Sequence, residues 1–128
     1  MDVLVIDDHV ASAEMLKEAL AHMLPEGWRI ECINDAVQGR AVLTLDNRIR
    51  LAIIDYLMPR IDGERLIQDV LELRPELRGR IIVSSGATFP DDIEETLFVE
   101  LGCLRCDKPV SFERLDFLIS TIISKPYR

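Results

Sequence analysis

Three short runs along the chain are apolar without interruption, and each stops abruptly at polar residues. Val3-Leu4-Val5-Ile6 ends at Asp7-Asp8, Leu51-Ala52-Ile53-Ile54 ends at Asp55, and Ile81-Ile82-Val83 ends at Ser84-Ser85-Gly86. Unbroken β-branched runs of this length predict strands buried on both faces, as in a parallel sheet. Positions 28–33 and 104–106 carry two weaker strand signals. Between the runs the apolar spacing turns helical. A first helix is predicted from Ala11, with Met15, Leu16, Leu20, Met23 and Leu24 recurring until Pro25 and Gly27 end it. A second is capped by Asp35, with Val37, Ala41, Val42 and Leu45 inward. A third covers 64–73 with Leu66, Ile67, Val70 and Leu71 inward, and Pro75 and Gly79 punctuate after it. A fourth covers 93–101 and is closed by Gly102. The last runs from a Ser111 cap to Ile123, burying Leu115, Leu118, Ile119 and Ile122.

Strand and helix alternate five times, which predicts an α/β fold: a parallel sheet with helices on both faces. No linker or internal repeat interrupts the pattern, so 1–128 is expected to form one domain. With 48% apolar and 30% charged residues, the chain has the balance of a globular protein rather than a disordered tail. A formal net charge of −8 argues against direct nucleic-acid binding and against acidic membrane surfaces. Three cysteines, Cys32, Cys103 and Cys106, do not make a secreted disulfide framework. With no signal-peptide pattern and no apolar run of membrane-spanning length, the expected setting is cytoplasmic.

In open parallel sheets, ligands bind beyond the carboxyl ends of the strands. Those ends carry Asp7-Asp8, Asp55, Ser85 and, after the fifth strand, Lys108-Pro109. Singly, each has a bland reading: Asp7 or Asp8 as a cap of the first helix, Ser85 in a local backbone bond, Lys108 as a solvated loop lysine. Together they are chemically coherent. Clustered carboxylates need a cation, and hard oxygen ligands favour Mg²⁺, with Mn²⁺ able to replace it. A carboxylate can attack phosphorus to give an acyl phosphate. The charge on the transferred group would then be met by the cation, Lys108 and the Ser85 hydroxyl.

Asp7-Asp8 after a strand, the D-x-x-M-P-x-x-x-G stretch from Asp55 to Gly63, Ser85-Gly86 and Lys108-Pro109 together resemble the response-regulator receiver family of two-component signalling. The likeness runs from Val3 to about Ile123. It implies a flavodoxin-like, doubly wound, five-stranded parallel sheet in the order 2-1-3-4-5. It implies Asp55 as phosphoacceptor, with Ser85 and Lys108 in the family's hydroxyl and phosphate-binding lysine positions. Mg²⁺ would be held by Asp8, Asp55 and the Leu57 backbone carbonyl, with Asp7 acting through water. The phosphoryl donor would be a histidine kinase or phosphotransfer protein, and the output a downstream protein target or an attached output domain. Homodimerisation through the fourth helix, fifth strand and fifth helix is common in the family. The sequence leaves open whether the chain stands alone or was cut from a longer regulator or hybrid kinase.

Several positions depart from the family pattern. Its fifth-strand aromatic, three residues before the lysine, is Arg105 here, and a one-residue slip would offer Leu104 or Cys106 instead. The loop after Ser85 carries Phe89, read as a staple for the fourth helix and alternatively as a local switch. Leu57 and Ala87 lie two past the acceptor and two past the hydroxyl, and neither can orient a water, so slow self-dephosphorylation is expected. Cys103-Leu104-Arg105-Cys106 is a C-x-x-C, read as two small strand residues rather than a zinc or redox site. The competing reading is a receiver-like binding module that does not need phosphate. A hydrolase of the haloacid dehalogenase type ranks last, because it would need an Asp where Leu57 stands.

Overall fold

The computed structural model describes residues 1–86 and 88–127. Strands β1 (Val3–Ile6), β2 (Ile30–Ile33), β3 (Leu51–Asp55), β4 (Ile81–Ser85) and β5 (Leu104–Asp107) alternate with helices α1 (Val10–Met23), α2 (Ala36–Leu45), α3 (Gly63–Leu73), α4 (Asp91–Glu95) and α5 (Phe112–Ile123). A 3₁₀ turn, Pro75–Leu77, leads into β4, and α4 runs on into a π-helical turn, Thr96–Glu100. All strand pairs are parallel and the order is β2-β1-β3-β4-β5, the flavodoxin-like arrangement.

Side chains alternate across a strand, so each apolar run feeds two cores. Val3, Val5, Leu51, Ile53, Ile82 and Cys106 pack with α1 and α5 on one face. Leu4, Ile6, Ala52, Ile54, Ile81 and Val83 pack with α2 and α3 and, through Leu97, with the turn after α4. This is why β1, β3 and β4 read as continuous hydrophobic runs: neither face meets water.

The helix boundaries fall close to the sequence reading, but two inward faces differ from it. In α2 the buried residues are Ala36, Gly39 and Leu43, while Val37 is 42% and Leu45 83% exposed. The expected face is rotated by about one residue. A Cβ on Gly39 would lie 2.8 Å from the fully buried Ile6, so the small residues Ala36 and Gly39 let α2 approach β1, and Leu43 fills the rest of the seam. In α1 the buried residues are Ala13, Leu16 and Leu20, and Met15 is turned outward. Residue 28 lies outside β2, which begins at Ile30. Trp28 instead lies against Arg50, whose guanidinium sits 3.8 Å from the ring centroid.

At the amino edge of the sheet, two buried arginines organise the backbone. Arg74, the C-cap of α3, donates to the carbonyls of Leu43 (3.1 Å), Asp46 (2.9 Å), Asn47 (3.4 Å) and Ile49 (2.9 Å), and to the Tyr127 hydroxyl. It thereby satisfies the orphan carbonyls at the end of α2. Arg80 donates to Arg50 O (3.2 Å) and Lys125 O (2.7 Å) and lies over the Tyr127 ring.

Candidate functional site

Asp7 follows β1 and is almost wholly buried. Its backbone N–H donates to Ile33 O, and its carbonyl accepts from Asn34 Nδ2 at 2.8 Å. Its carboxylate is also engaged: Oδ1 accepts the His9 backbone N–H at 2.9 Å, and Oδ2 accepts from Lys108 Nζ at 3.0 Å. Neither Asp7 nor Asp8 caps α1. His9 does, its ring nitrogen accepting from Ser12 N–H. Asp8 is exposed.

Asp55 closes β3 and is 8% exposed. Its Oδ1 accepts the Leu57 backbone N–H at 3.1 Å, and its Oδ2 accepts from Lys108 Nζ at 3.2 Å. Lys108 is therefore not a solvated loop lysine. Its backbone N–H donates to Ser85 O at 3.0 Å, which fixes the residue beside the end of β4, and its ammonium reaches both buried carboxylates. Ser85, the last residue of β4, is buried. Leu57 follows in the loop with its side chain 56% exposed. Ala87 lies outside the described residues.

One carboxylate oxygen from each of Asp7, Asp8 and Asp55 falls within 4.8 Å of the others. Unit charges at such separations repel by roughly 3–4 kcal/mol at an effective dielectric constant of about 20. One ammonium faces three carboxylates, so the cluster retains negative charge for a cation to meet. Burial pushes the Asp55 carboxyl above the ordinary range, despite the opposing Leu57 N–H and Lys108. Burial works against the charge on Lys108, but Asp7 and Asp55 outweigh it and hold the ammonium above the usual lysine range. The arrangement fits a hard divalent ion such as Mg²⁺, bound by carboxylate oxygens.

Sequence reasoning passes over two residues here. Asn34 follows β2, so the strand-end rule that picks out Asp7 and Asp55 also points to it. Ser84 has a buried hydroxyl oxygen with no hydrogen-bond partner, a property with no signature in sequence.

In β5, Val83 pairs with Arg105 and Ser85 with Asp107. Leu104 and Cys106 pack with the α1 and α5 core. Arg105 lies on the α4 side, where its guanidinium sits 5.0 Å from the Phe89 centroid and 5.4 Å from that of Phe98. It is ion-paired with Glu94 of α4 (2.7 Å) and with Asp107 (2.8 Å). Phe89 itself is buried edge-on between Tyr56 and Phe98 just before α4.

Cys103 and Cys106 belong to opposite cores. Burial pushes the Cys103 thiol up to about 12, and raises Cys106 as well. Native protein at neutral pH is therefore expected to react at Cys103 with Ellman's reagent at least ~100-fold more slowly than unfolded protein, because reactivity follows the thiolate fraction and access. Fast labelling of Cys103 in the folded state, or a Cys103–Cys106 disulfide under mild oxidation, would contradict this placement.

The sequence model of the response regulator receiver domain family matches residues 3–120. The chain is 34% identical over 117 residues to the sensor histidine kinase RcsC of Salmonella typhi, an alignment covering 90% of this chain and 11% of that protein. It is 34% identical over 73 residues to sensor histidine kinase RcsC of Escherichia coli K12, covering 57% and 7%. The chain thus spans about a tenth of the length of these curated relatives. Among solved structures, a CheY-like receiver domain protein from Methanospirillum hungatei JF-1 superposes with a TM-score of 0.82 at 23% identity, covering 96% of this chain and 93% of that one. A receiver domain protein from Clostridium thermocellum gives 0.80 at 23%, covering 96% and 94%. At these identities the solved structures speak for the fold alone. Among the described residues, no helix is long and apolar enough to cross a membrane.

Proposed function

This chain belongs to the response regulator receiver domain family of two-component signalling, and from that premise we propose that Asp55 accepts a phosphoryl group from a histidine kinase or phosphotransfer protein. The observation that carries the proposal is the shared lysine: Lys108 Nζ lies 3.0 Å from Asp7 and 3.2 Å from Asp55. A cation is thus already placed beside the nucleophile where charge must be met during transfer. In the reaction a carboxylate oxygen of Asp55 bonds to phosphorus as the donor's P–N bond breaks, and the departing imidazole takes up a proton. The Leu57 N–H orients the carboxylate, Lys108 turns toward the incoming phosphoryl oxygens, and the Ser85 hydroxyl binds a further one. Asp8, Asp55 and the Leu57 carbonyl would hold Mg²⁺, with Asp7 reaching it through water. Bound there, Mg²⁺ supplies charge neutralisation for the phosphoryl oxygens.

The domain acts as a switch rather than a turnover enzyme: it catalyses its own phosphorylation, loses the group slowly, and changes which proteins it binds. On this reading residues 1–128 are one receiver domain and its setting is the cytoplasm. The alternative, a binding module independent of phosphate, gains no support, because Asp7, Asp8, Asp55, Ser85 and Lys108 are all present. Intact mass after incubation with acetyl phosphate is the test. One phosphoryl adduct is expected with Mg²⁺ and almost none without it. Followed in time, the adduct should decay slowly, and Leu57→Asn should shorten its life. A folded protein that takes up no phosphoryl group with Mg²⁺ present would return the binding-module reading to the front.

The expected readout runs through Arg105. Phosphate on Asp55 draws Lys108 and Ser85 toward it, and β4 and β5 carry that movement to the guanidinium pairing Asp107 with Glu94. Amide resonances over 93–105 should therefore shift when a phosphate analogue and Mg²⁺ are added, and unshifted amides there would rule out this route.

A further inference from the structure

A cleft of about 530 Å³ opens on the α1 and α5 side of the sheet, between α1 and the loop from β5 to α5. Its size lies within the range of roughly 300–1,000 Å³ seen for small-ligand pockets. Its walls are apolar, formed by Met15 and Leu16 of α1, by Val110, and by Phe112 at the start of α5. Met15 is 66% and Phe112 57% exposed, so two large apolar side chains line it without being covered. Ser84 of β4 lies on its inner wall, 3% exposed, and among the described residues its hydroxyl oxygen is a buried side-chain atom with no hydrogen-bond partner. A buried hydroxyl left unpaired is costly, and such groups in native proteins usually have a partner.

We propose that this cleft is a binding site for a small uncharged amphiphile, a ring or branched aliphatic body bearing one hydroxyl or amide that pairs with Ser84 Oγ. The apolar walls select the body. The charge of the head group follows from the polar part of the lining, where Asp7 and Lys108 are paired with each other at 3.0 Å. A charged head would have to break that pair, whereas a neutral one leaves it intact and still meets the hydroxyl. The proposal concerns binding to the unphosphorylated chain and does not depend on Asp55 being a phosphoacceptor.

Phenol and toluene, alike in shape but for one hydroxyl, are suitable probes. In the full chain, the ¹³C-methyl resonance of Met15 is expected to shift saturably with either probe. The methyls of Met1 and Met58, which pack against the opposite core, should stay in place. Phenol should bind about five-fold more tightly than toluene, the worth of one net hydrogen bond. Ser84→Ala should abolish that preference by weakening phenol alone. Phe112→Ala, at an exposed position that does not threaten folding, should weaken both. The proposal is overturned if Met15 shows no saturable shift, if wild type binds the two probes alike, or if Ser84→Ala keeps the preference for phenol.

Discussion

Asp55→Ala is expected to reduce phosphoryl uptake from acetyl phosphate to background while leaving the protein folded. No neighbouring carboxylate can take over. Asp7 is committed at both oxygens, to the His9 N–H and to Lys108. Asp8 shares the cluster but is exposed, and its carboxylate is not aligned by the Leu57 N–H and Lys108 as that of Asp55 is. Folding should survive because Lys108 keeps Asp7 as a partner, and because removing a carboxylate that burial disfavours relieves repulsion within the cluster. Intact mass and chemical denaturation, run on the same samples, separate the two effects. An undiminished adduct in Asp55→Ala would move the acceptor to Asp7 or Asp8. Loss of the adduct together with loss of the fold would leave the acceptor unassigned, and Asp55→Asn, closer in shape, would then decide.

Arg74→Ala should cost about 3–5 kcal/mol of stability, the range for leaving buried partners of a charged group unpaired. The guanidinium is 4% exposed, pairs with Glu76, and serves four carbonyls along the end of α2 and the approach to β3, as well as the Tyr127 hydroxyl. Its removal strands several acceptors at once, and alanine offers nothing in return. For a domain of this size, a loss of that order corresponds to a fall in Tm of roughly 10 °C or more. Arg74→Lys should recover only a small part, since a single ammonium cannot reproduce the planar fork. Urea denaturation checks both. A loss below about 1 kcal/mol would mean that water satisfies these carbonyls as well as the guanidinium does.

The sheet was legible because its central strands are buried on both sides and so leave uninterrupted apolar runs. The same property placed Asp7 and Asp55 at strand ends, and Lys108 followed from the end of β5. What escaped the sequence has physical reasons. The inner face of α2 joins Leu43 to Ala36 and Gly39, two residues whose value is that they are small, and the search for large apolar side chains selects Val37 and Leu45 instead. Met15 continues the apolar stripe of α1 yet points away from the core, into the rim of a cleft. The π-helical turn after α4 leaves the apolar spacing of 93–101 looking like one ordinary helix. Arg74 and Arg80 look like solvated positions on any composition argument, because burial of an arginine depends on carbonyls distant in sequence. At Arg105 the sequence showed only that an aromatic was missing. In the fold, the rings are supplied by Phe89 and Phe98, with the guanidinium between them and the acidic flank of α4.

The pairing of Trp28 with Arg50 bears on how this protein can be observed. Trp28 is the single tryptophan, and it precedes β2, at the edge of the sheet opposite the acidic cluster. A four- to five-residue strand separates the two edges by about 15 Å. Its fluorescence should therefore be nearly indifferent to Mg²⁺ or phosphate at Asp55, yet change when unfolding pulls the indole away from the guanidinium. Intrinsic emission would then serve as a stability gauge uncoupled from the signalling state, so that wild type and Asp55 variants can be compared on one scale at any degree of phosphorylation.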